Sequence, residues 1–471
     1  MAEIQDMTVC QSSGNLPSFS IDQLEAANVL SEFNDIQLAG TYYLNGPGSF
    51  EFGGLNYQNW LDGDGMVTSI RFHGQQIETT SKYVQGKKFV QENKAGARIY
   101  RTFGTGFQGD KLYRGFGTAS PYNVSVFRYQ DKLLAFGEQS LPMELDTETL
   151  ETKTPGRTFD FSRQINEAMP FSAHPKIEDD GELLNFGIFF DRENPQLVYY
   201  RFDPSGRMVV RIKHSIPYPC SVHDFAASEN YVVFYLSPHL LDTQRLIGER
   251  ATLSDSLDWQ PELGSRILVL CRHSGNLLFC QTIPAGYNLH TISSFESDGR
   301  LFLDVIEYET PLYSEYQDLP DLFTGISKGT PKRFVLQTEA WFLADVLTLG
   351  IHGTFDFPLC THLHPNGVWA LGISNWNETG SKFFDQLVRI NWDNTRDVWQ
   401  TPQGFFMGGE PANARAEDGR EVLICPIYDA LKHESHVGIF DATSISKGPI
   451  ELIKLGHTIP LGFHSSYYAD C

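Results

Sequence analysis

The sequence is poor in basic residues. Its 471 residues include 36 lysines and arginines against 58 aspartates and glutamates, a formal net charge of −22. Proteins that bind nucleic acids need a basic stripe facing the phosphate backbone, so this balance argues against a DNA or RNA partner. It also gives no electrostatic attraction to anionic lipid, so any membrane contact would have to be hydrophobic.

Cysteine is scarce as well. The seven cysteines lie at positions 10, 220, 271, 280, 360, 425 and 471, an odd number without a Cys-x-x-Cys pair. This pattern predicts free thiols in a reducing compartment. The first six residues are acidic and polar, unlike a signal peptide. No apolar run reaches the ~18–20 residues that span a bilayer, and we expect a cytoplasmic protein.

Helical patterns are few, whereas short strand-like runs separated by turns recur along the chain. The predicted helices cover 21–31, 238–249 and 339–349. The clearest predicted hairpins pair 124–129 with 132–136, 197–202 with 208–212, and 266–271 with 277–282. Strands at such spacing indicate the blades of a β-propeller, which can reach this chain length as one unit. No clean internal repeat accompanies them, so the strand rhythm alone does not give a number of blades.

Four histidines stand out, each in a short sequence motif that contains no cysteine. The motifs are Phe171-Ser-Ala-His174-Pro-Lys, Val222-His223-Asp-Phe-Ala, Leu289-His290-Thr-Ile-Ser-Ser-Phe-Glu296 and Leu461-Gly-Phe-His464-Ser-Ser-Tyr. They lie too far apart for a local zinc clip, whose ligands crowd within a few residues. Such spacing suits a closed, radially repeating fold whose strands converge on one axis. Four neutral imidazoles without a carboxylate ligand favour Fe, Cu, Ni or Zn over Mg or Ca.

Further sequence motifs accompany these histidines in a characteristic order. They are Leu44-Asn-Gly-Pro-Gly48, Leu61-Asp-Gly-Asp-Gly-Met66, Ser81-Lys-Tyr-Val84, Lys94-Ala-Gly-Ala-Arg-Ile-Tyr-Arg101, Trp259-Gln-Pro-Glu-Leu-Gly-Ser-Arg266 and Gly409-Glu-Pro411. Together they resemble the carotenoid cleavage oxygenases, a family that includes stilbene-cleaving and retinoid-isomerising members. The resemblance covers roughly residues 40 to 468. It implies a seven-bladed β-propeller, capped on its active-site face by loops and short helices. We therefore expect one catalytic domain over 1–471, with a peripheral N-terminal segment over about 1–38.

The resemblance also implies the chemistry. Its members use one Fe²⁺ per chain, held by four histidines that correspond here to His174, His223, His290 and His464. That ligand set leaves open positions for O₂ as co-substrate. The reaction cleaves a conjugated C=C bond and releases two carbonyl products. We expect a non-haem iron dioxygenase whose substrate is a hydrophobic polyene, a carotenoid or apocarotenoid.

Four more positions follow from matching the family's motifs. Carboxylates that hold the ligand imidazoles by their second nitrogen are expected at Glu138 and Glu410. The third falls at Asp356, where the family carries glutamate and this chain has a side chain one methylene shorter. Val124 matches a family position, often threonine, whose methyl group lies near a vacant iron site.

Several alternatives stay open at the level of sequence. One is a stilbene-cleaving dioxygenase on the same scaffold; that branch tends to carry lysine where this chain has Gly137, which favours an apolar polyene here. Another is a non-enzymatic propeller that acts as a binding scaffold. The segment 236–248 is either an amphipathic helix that dips into a membrane or a helix packed on the propeller. His362 and His364 share one strand face and could together bind zinc. The cleaved bond and the oligomeric state do not follow from the sequence.

Overall fold

The computed structural model describes residues 23, 25–33, 36–115, 117–316, 322–360 and 367–470. Within these residues the main strands form seven antiparallel sheets, the blades of a seven-bladed β-propeller. This confirms the predicted fold class.

The blades follow one another along the chain, and their strands lie in the following order across each sheet. Blade one contains β1 (Ala26–Glu32), β6 (Gln76–Tyr83), β5 (Asp64–Gly74), β2 (Leu38–Ser49) and β33 (Ser465–Ala469). Blade two contains β7 (Ser125–Tyr129), β8 (Lys132–Phe136) and β9 (Met143–Leu145), and blade three contains β10 (Lys176–Ile177), β11 (Leu183–Phe189), β12 (Gln196–Phe202) and β13 (Met208–Ser215). Blade four contains β14 (Ala226–Ala227), β15 (Tyr231–Leu236), β18 (Ser265–Cys271) and β19 (Leu277–Ile283).

The remaining three blades have the same arrangement. Blade five contains β20 (Tyr287–Ser297), β21 (Arg300–Tyr308), β22 (Thr330–Gln337) and β23 (Phe342–Thr348), and blade six contains β24 (Thr354–Leu359), β25 (Gly367–Ile373), β26 (Gln386–Asn391) and β27 (Arg396–Gln400). Blade seven contains β28 (Phe405–Met407), β30 (Glu421–Asp429), β31 (Glu434–Asp441) and β32 (Glu451–Lys454), with β29 (Ala412–Arg415) also paired to β30.

Short elements lie between the blade strands, most of them within a single blade. Two small two-stranded sheets pair β3 (Glu51–Phe52) with β4 (Leu55–Asn56) and β16 (His239–Leu241) with β17 (Leu257–Trp259). The helices are α1 (Lys87–Ala95), α2 (Thr243–Gly248) and 3₁₀ turns at Trp60–Asp62, Ser254–Ser256, Pro261–Leu263, Tyr313–Tyr316 and Ile445–Lys447. None of the helices in the described part of the chain is long and apolar enough to cross a lipid bilayer.

The ring closes because the last strand completes the first blade. β33 pairs antiparallel with β2, for example Leu44 opposite Ser465. The edge strands of neighbouring blades contact one another, as β14 does β20, β20 does β24, and β29 does β33. These contacts place the innermost strand of each blade around a common axis, where distant parts of the sequence meet; in blade one that strand is β33.

Burial follows the same radial order. Middle strands such as β25 are buried on both faces, because each blade is packed between two others. The outer strand β13 instead alternates half-buried and exposed residues. Apolar side chains of adjacent blades fill the space between them, as Phe186 and Leu197 of blade three and Phe234 and Leu268 of blade four do in one cluster. The predicted hairpins all lie where the alternation placed them.

Two of the three predicted helices are strands in the structure, and the third, 238–249, is helical only over Thr243–Gly248. The described part of 21–31 contributes to strand β1, and 339–349 contains strand β23, because pairing with β6 and β22 outweighs the local helical pattern. The segment 236–248 holds strand β16 and the short helix α2. Within it Leu241 and Leu246 are buried, and Ile247 is the large apolar side chain that faces solvent. This burial matches a segment packed on the propeller and gives no support to membrane insertion.

The N-terminal motifs 61–66 and 94–101 contribute residues to one buried ion-pair network. The Asp64 carboxylate lies 2.6 Å from Lys88 Nζ and 2.5 Å from Arg98 Nη1, and Glu92 completes the group. All four side chains are almost fully buried, and their formal charges cancel. Burial alone would raise the pKa of Asp64, but Lys88 and Arg98 hold it below its ordinary value. The stabilisation is therefore present above about pH 4 and is lost as the pH falls through the lowered pKa.

Substituting Asp64→Asn is expected to lower the free energy of unfolding by about 3–5 kcal/mol, because it leaves an uncompensated buried positive charge. Urea denaturation followed by circular dichroism measures the change. Asp418 pairs with Arg420 at the surface, and Asp418→Asn serves as the matched control that leaves the midpoint unchanged. Equal midpoints for both variants would contradict a role of the network in stability.

Candidate metal centre

The four predicted histidines come from four different blades. His174, His223 and His464 precede β10, β14 and β33 by a few residues, and His290 lies within β20. Each is thus at the strand nearest the central axis of its blade. The structure brings together side chains that are separated by more than half of the chain.

Their imidazoles form one compact group. His174 Nε2 lies 2.8 Å from His223 Nε2, and His290 Nε2 lies 3.2 Å from His464 Nε2. The four nitrogens all lie within 4.8 Å of one another. His174, His290 and His464 are buried, and His223 is half-buried. Imidazole nitrogens about 2 Å from a shared ion lie about 3–4 Å apart, so the spacing fits a transition-metal ion.

Three of the rings are held from behind by carboxylates. His223 Nδ1 lies 2.7 Å from Glu138 Oε1, His290 Nδ1 lies 2.6 Å from Asp356 Oδ1, and His464 Nδ1 lies 3.4 Å from Glu410 Oε2. The Glu138 contact is close but is not aligned as a hydrogen bond, and the Glu138 side chain is 37% exposed. A carboxylate at Nδ1 favours the proton there, which leaves Nε2 as an acceptor.

The convergence of acceptors has an electrostatic consequence. Lone pairs that point at one buried spot repel each other unless a cation lies between them. The pKa values of two of the imidazoles are shifted toward the neutral form: burial and the neighbouring histidines hold the pKa of His174 well below its usual range, and burial lowers that of His464. Burial alone would lower the pKa of His290 too, but Asp356 raises it. The donor set therefore fits a divalent metal ion.

The backbone is irregular at two residues of this centre, His290 and Asp356. The register of β20 against β21 shifts between Asn288 and Thr291, the interval that contains His290, and again between Thr291 and Ser293, so this stretch is a β-bulge. Asn288 stabilises the bulge by donating from its side-chain amide to the carbonyls of His290 and Ile306. Strand β24 has a register shift of its own directly after Asp356, where Phe357 has a positive φ of 51°.

The N-terminal motif around Asn45 holds the backbone of His464 in place by hydrogen bonds. Asn45 N–H donates to the His464 carbonyl, and Phe463 N–H donates to that of Asn45. The segments approach so closely that a Cβ at Gly46 would lie 2.6 Å from Gly462 Cα, which explains both glycines. Glu410 joins the same group through Ser465 N–H, which donates to its carboxylate at 3.0 Å.

A cavity opens onto the four histidines. Its walls are mainly apolar, with a few hydroxyl groups; the lining includes Leu61, Phe103, Ser120, Val124, Glu138, Leu289, Tyr313 and Phe357. Val124 precedes β7 and lies beside His464, whose N–H donates to its carbonyl at 3.2 Å. None of the described residues that line the cavity is a lysine or arginine.

The sequence of this chain matches the family model of the retinal pigment epithelial membrane protein over residues 36–469. The chain belongs to the carotenoid cleavage oxygenase family. The match covers nearly the whole propeller and all four histidines.

Three family members illustrate the range of similarity. Apocarotenoid-15,15'-oxygenase of Synechocystis is 28% identical over 91% of this chain and 90% of its own. The crystal structure of its cobalt-substituted form has a TM-score of 0.84, at 25% identity, over 96% of this chain and 98% of its own. Isoeugenol monooxygenase of Pseudomonas nitroreducens is 26% identical over 91% of each chain. Lignostilbene-alpha,beta-dioxygenase isozyme III of Sphingomonas paucimobilis is 31% identical over 92% of this chain and 91% of its own.

All eight residues singled out by family resemblance lie around this one centre. The shorter Asp356 does reach its histidine, with Oδ1 2.6 Å from His290 Nδ1. His362 and His364, the pair that could together bind zinc, lie outside the described residues. Of the predicted peripheral segment 1–38, residues 1–22, 24, 34 and 35 lie outside them too.

Sequence reasoning missed one buried carboxylate, Asp224. Its Oδ1 lies 3.7 Å from His174 Nδ1 and 2.7 Å from Lys176 Nζ. Burial alone would raise the pKa of Asp224, but Lys176 and Thr291 lower it, so the group is ionised. Its position directly after His223, with Lys176 two residues after His174, is visible in the sequence but does not by itself indicate a role.

Proposed function

We propose that this protein is a non-haem Fe(II) dioxygenase that cleaves a conjugated C=C bond of a carotenoid or apocarotenoid with O₂. The observation that carries the proposal is the convergence of His174, His223, His290 and His464 at the end of a largely apolar cavity. Four neutral imidazoles suit ferrous iron, and a cavity of this kind suits a rigid hydrophobic substrate.

Ferrous iron bound there would supply the O₂ chemistry that converts the alkene to two carbonyl products. The chain's own residues have separate tasks. Glu138, Asp356 and Glu410 fix the tautomer and direction of the imidazoles, so they are positioning residues. Leu61, Phe103, Leu289 and Phe357 exclude water and hold one double bond in register beside the centre. Val124 presents a methyl group to the cavity, where it restricts the space next to the histidines.

The choice of substrate rests on the surroundings of Gly137. A Cβ at residue 137 would overlap the Ser120 hydroxyl oxygen and press on the Tyr122 backbone, so the loop at 120–122 occupies the space of a side chain. The cavity thus has no charged anchor for a phenolate among its described lining residues. It does offer hydroxyl groups at Ser120 and Tyr313, which suit the single terminal oxygen of an apocarotenoid.

Iron-loaded protein is expected to prefer an apocarotenal over a hydroxystilbene by about tenfold or more in kcat/KM. A hydroxystilbene finds no cationic partner for its phenolate among the described lining residues; a hydrogen bond to a charged group contributes about 1.5–3 kcal/mol, and 1.4 kcal/mol is a factor of ten. The experiment incubates the enzyme with O₂ and a panel of carotenoids, apocarotenals and hydroxystilbenes, and identifies the carbonyl products by mass spectrometry.

Efficient cleavage of hydroxystilbenes, with every apocarotenoid ignored, would replace this proposal by the stilbene-cleaving alternative on the same scaffold. The similarity to lignostilbene dioxygenase and isoeugenol monooxygenase makes that comparison necessary. Protein that binds no iron after anaerobic loading would instead indicate a non-enzymatic propeller.

A further inference from the structure

His174 differs from the other three histidines in what lies behind it. His223, His290 and His464 each face a carboxylate that comes from a distant part of the chain, at 2.7, 2.6 and 3.4 Å. The acidic partner of His174 in the described structure is Asp224, at 3.7 Å from Nδ1. That distance permits an electrostatic attraction but is too long for a hydrogen bond.

Asp224 connects the chain segments that carry three of the four histidines. Its carboxylate is buried; Oδ2 accepts hydrogen bonds from Thr291 N–H at 2.9 Å and Thr291 Oγ1 at 2.7 Å. Oδ1 accepts from Lys176 Nζ at 2.7 Å. Asp224 directly follows His223, Thr291 follows His290, and Lys176 lies two residues after His174, so one carboxylate links blades three, four and five.

Lys176 and His174 compete for the same oxygen atom. Both nitrogens face Asp224 Oδ1, and the lysine is the closer of the two. The Lys176 ammonium neutralises part of the charge that would otherwise act on the imidazole. Its side chain is 31% exposed and lies over the Phe225 ring, so it can be shortened or made neutral without opening the core.

We propose that Asp224 is the positioning residue for His174, and that Lys176 weakens its pull on that imidazole. This inference rests on the proposed metal centre and adds a fourth carboxylate to it, with a built-in counter-charge. The two residues form one ion pair, yet they act on the metal ligand in opposite directions: Asp224 favours the Nδ1–H tautomer and a basic Nε2, and Lys176 opposes this effect.

The test breaks the ion pair from each side. Asp224→Asn removes the charge at constant size and is expected to weaken Co²⁺ binding by about 10–100-fold. Lys176→Met keeps the approximate length of the side chain without its charge, and it is expected to bind Co²⁺ more tightly than the wild type. Affinity is measured by competition with a chelator, and the d–d absorption of the Co²⁺ protein reports the ligand geometry independently of activity.

Asp304→Asn is the matched control. Asp304 is buried and bonded to Arg333 in blade five, so its loss lowers thermal stability without changing Co²⁺ affinity. A merely structural role of the Asp224–Lys176 pair would make both variants lose affinity to a similar extent, which would overturn the inference, as would unchanged affinity in Asp224→Asn. If Asp224→Asn does not fold, tighter binding by Lys176→Met supports the inference, and equal or weaker binding overturns it. Wild-type protein that binds no Co²⁺ would refute the proposed function itself.

Discussion

Replacing His174, His290 or His464 by alanine is expected to abolish metal binding and activity together. Each variant leaves three imidazoles around the ion, and the vacated position admits water into a centre whose geometry depends on four nitrogens within 4.8 Å. The loss should exceed the 10–100-fold decrease typical of removing a carboxylate partner of a ligand. Metal content by atomic absorption and turnover with an apocarotenal measure the two effects.

His436→Ala is the control for this series. His436 is also buried, with its pKa lowered by burial, but it lies in β31 and does not line the cavity. This variant is expected to retain full metal content and turnover. Wild-type iron occupancy and activity in any of the three ligand variants would remove that histidine from the ligand set, and loss of metal in His436→Ala would overturn the assignment.

The propeller could be predicted from local patterns because its strands are formed by near neighbours. Hairpins such as β7–β8 pair residues a few positions apart, and their alternation and turns are visible in the sequence. The stretch around β23 has apolar residues at helical spacing, and for that reason the sequence predicts a helix there. In the structure β23 is an outer strand, and several of its apolar side chains, including Phe342 and Leu347, are exposed. Pairing with β22 decides its conformation, and the local pattern carries no trace of that pairing.

The metal centre could be predicted only in part, for a related reason. Its histidines are recognisable by the words around them, but no sequence spacing shows that His174 meets His223 while His290 meets His464. Asp224 was missed because an aspartate next to a histidine has no meaning until Lys176 and Thr291 are known to surround it. The contact of Asp356 with His290 joins strands of two different blades, which no local pattern in the sequence shows.

The three carboxylates behind the ligands are expected to differ in importance. Asp356 is buried and closest to its histidine, Glu410 is mostly buried at 3.4 Å, and Glu138 is more exposed and not aligned. Electrostatic interactions strengthen as water is excluded. Asp356→Asn should therefore weaken Co²⁺ affinity most, by a factor near 100, followed by Glu410→Gln and then Glu138→Gln at about tenfold or less. A larger effect for Glu138→Gln than for Asp356→Asn would contradict this order.

Asp356→Glu tests whether the shorter acid is a requirement of this site. Asp356 Oδ1 already lies 2.6 Å from His290 Nδ1 and accepts the Phe357 N–H at 2.9 Å, in a pocket where Asp356 is 2% exposed. An added methylene would have to be accommodated among these contacts, and overpacking a buried site costs about 1–3 kcal/mol. The longer acid should push the His290 ring out of register, so we expect Asp356→Glu to lose Co²⁺ affinity by about tenfold or more despite its retained charge. Wild-type affinity in this variant would mean that the backbone relaxes to accept glutamate, and that the bulge in β24 does not fix the position of His290.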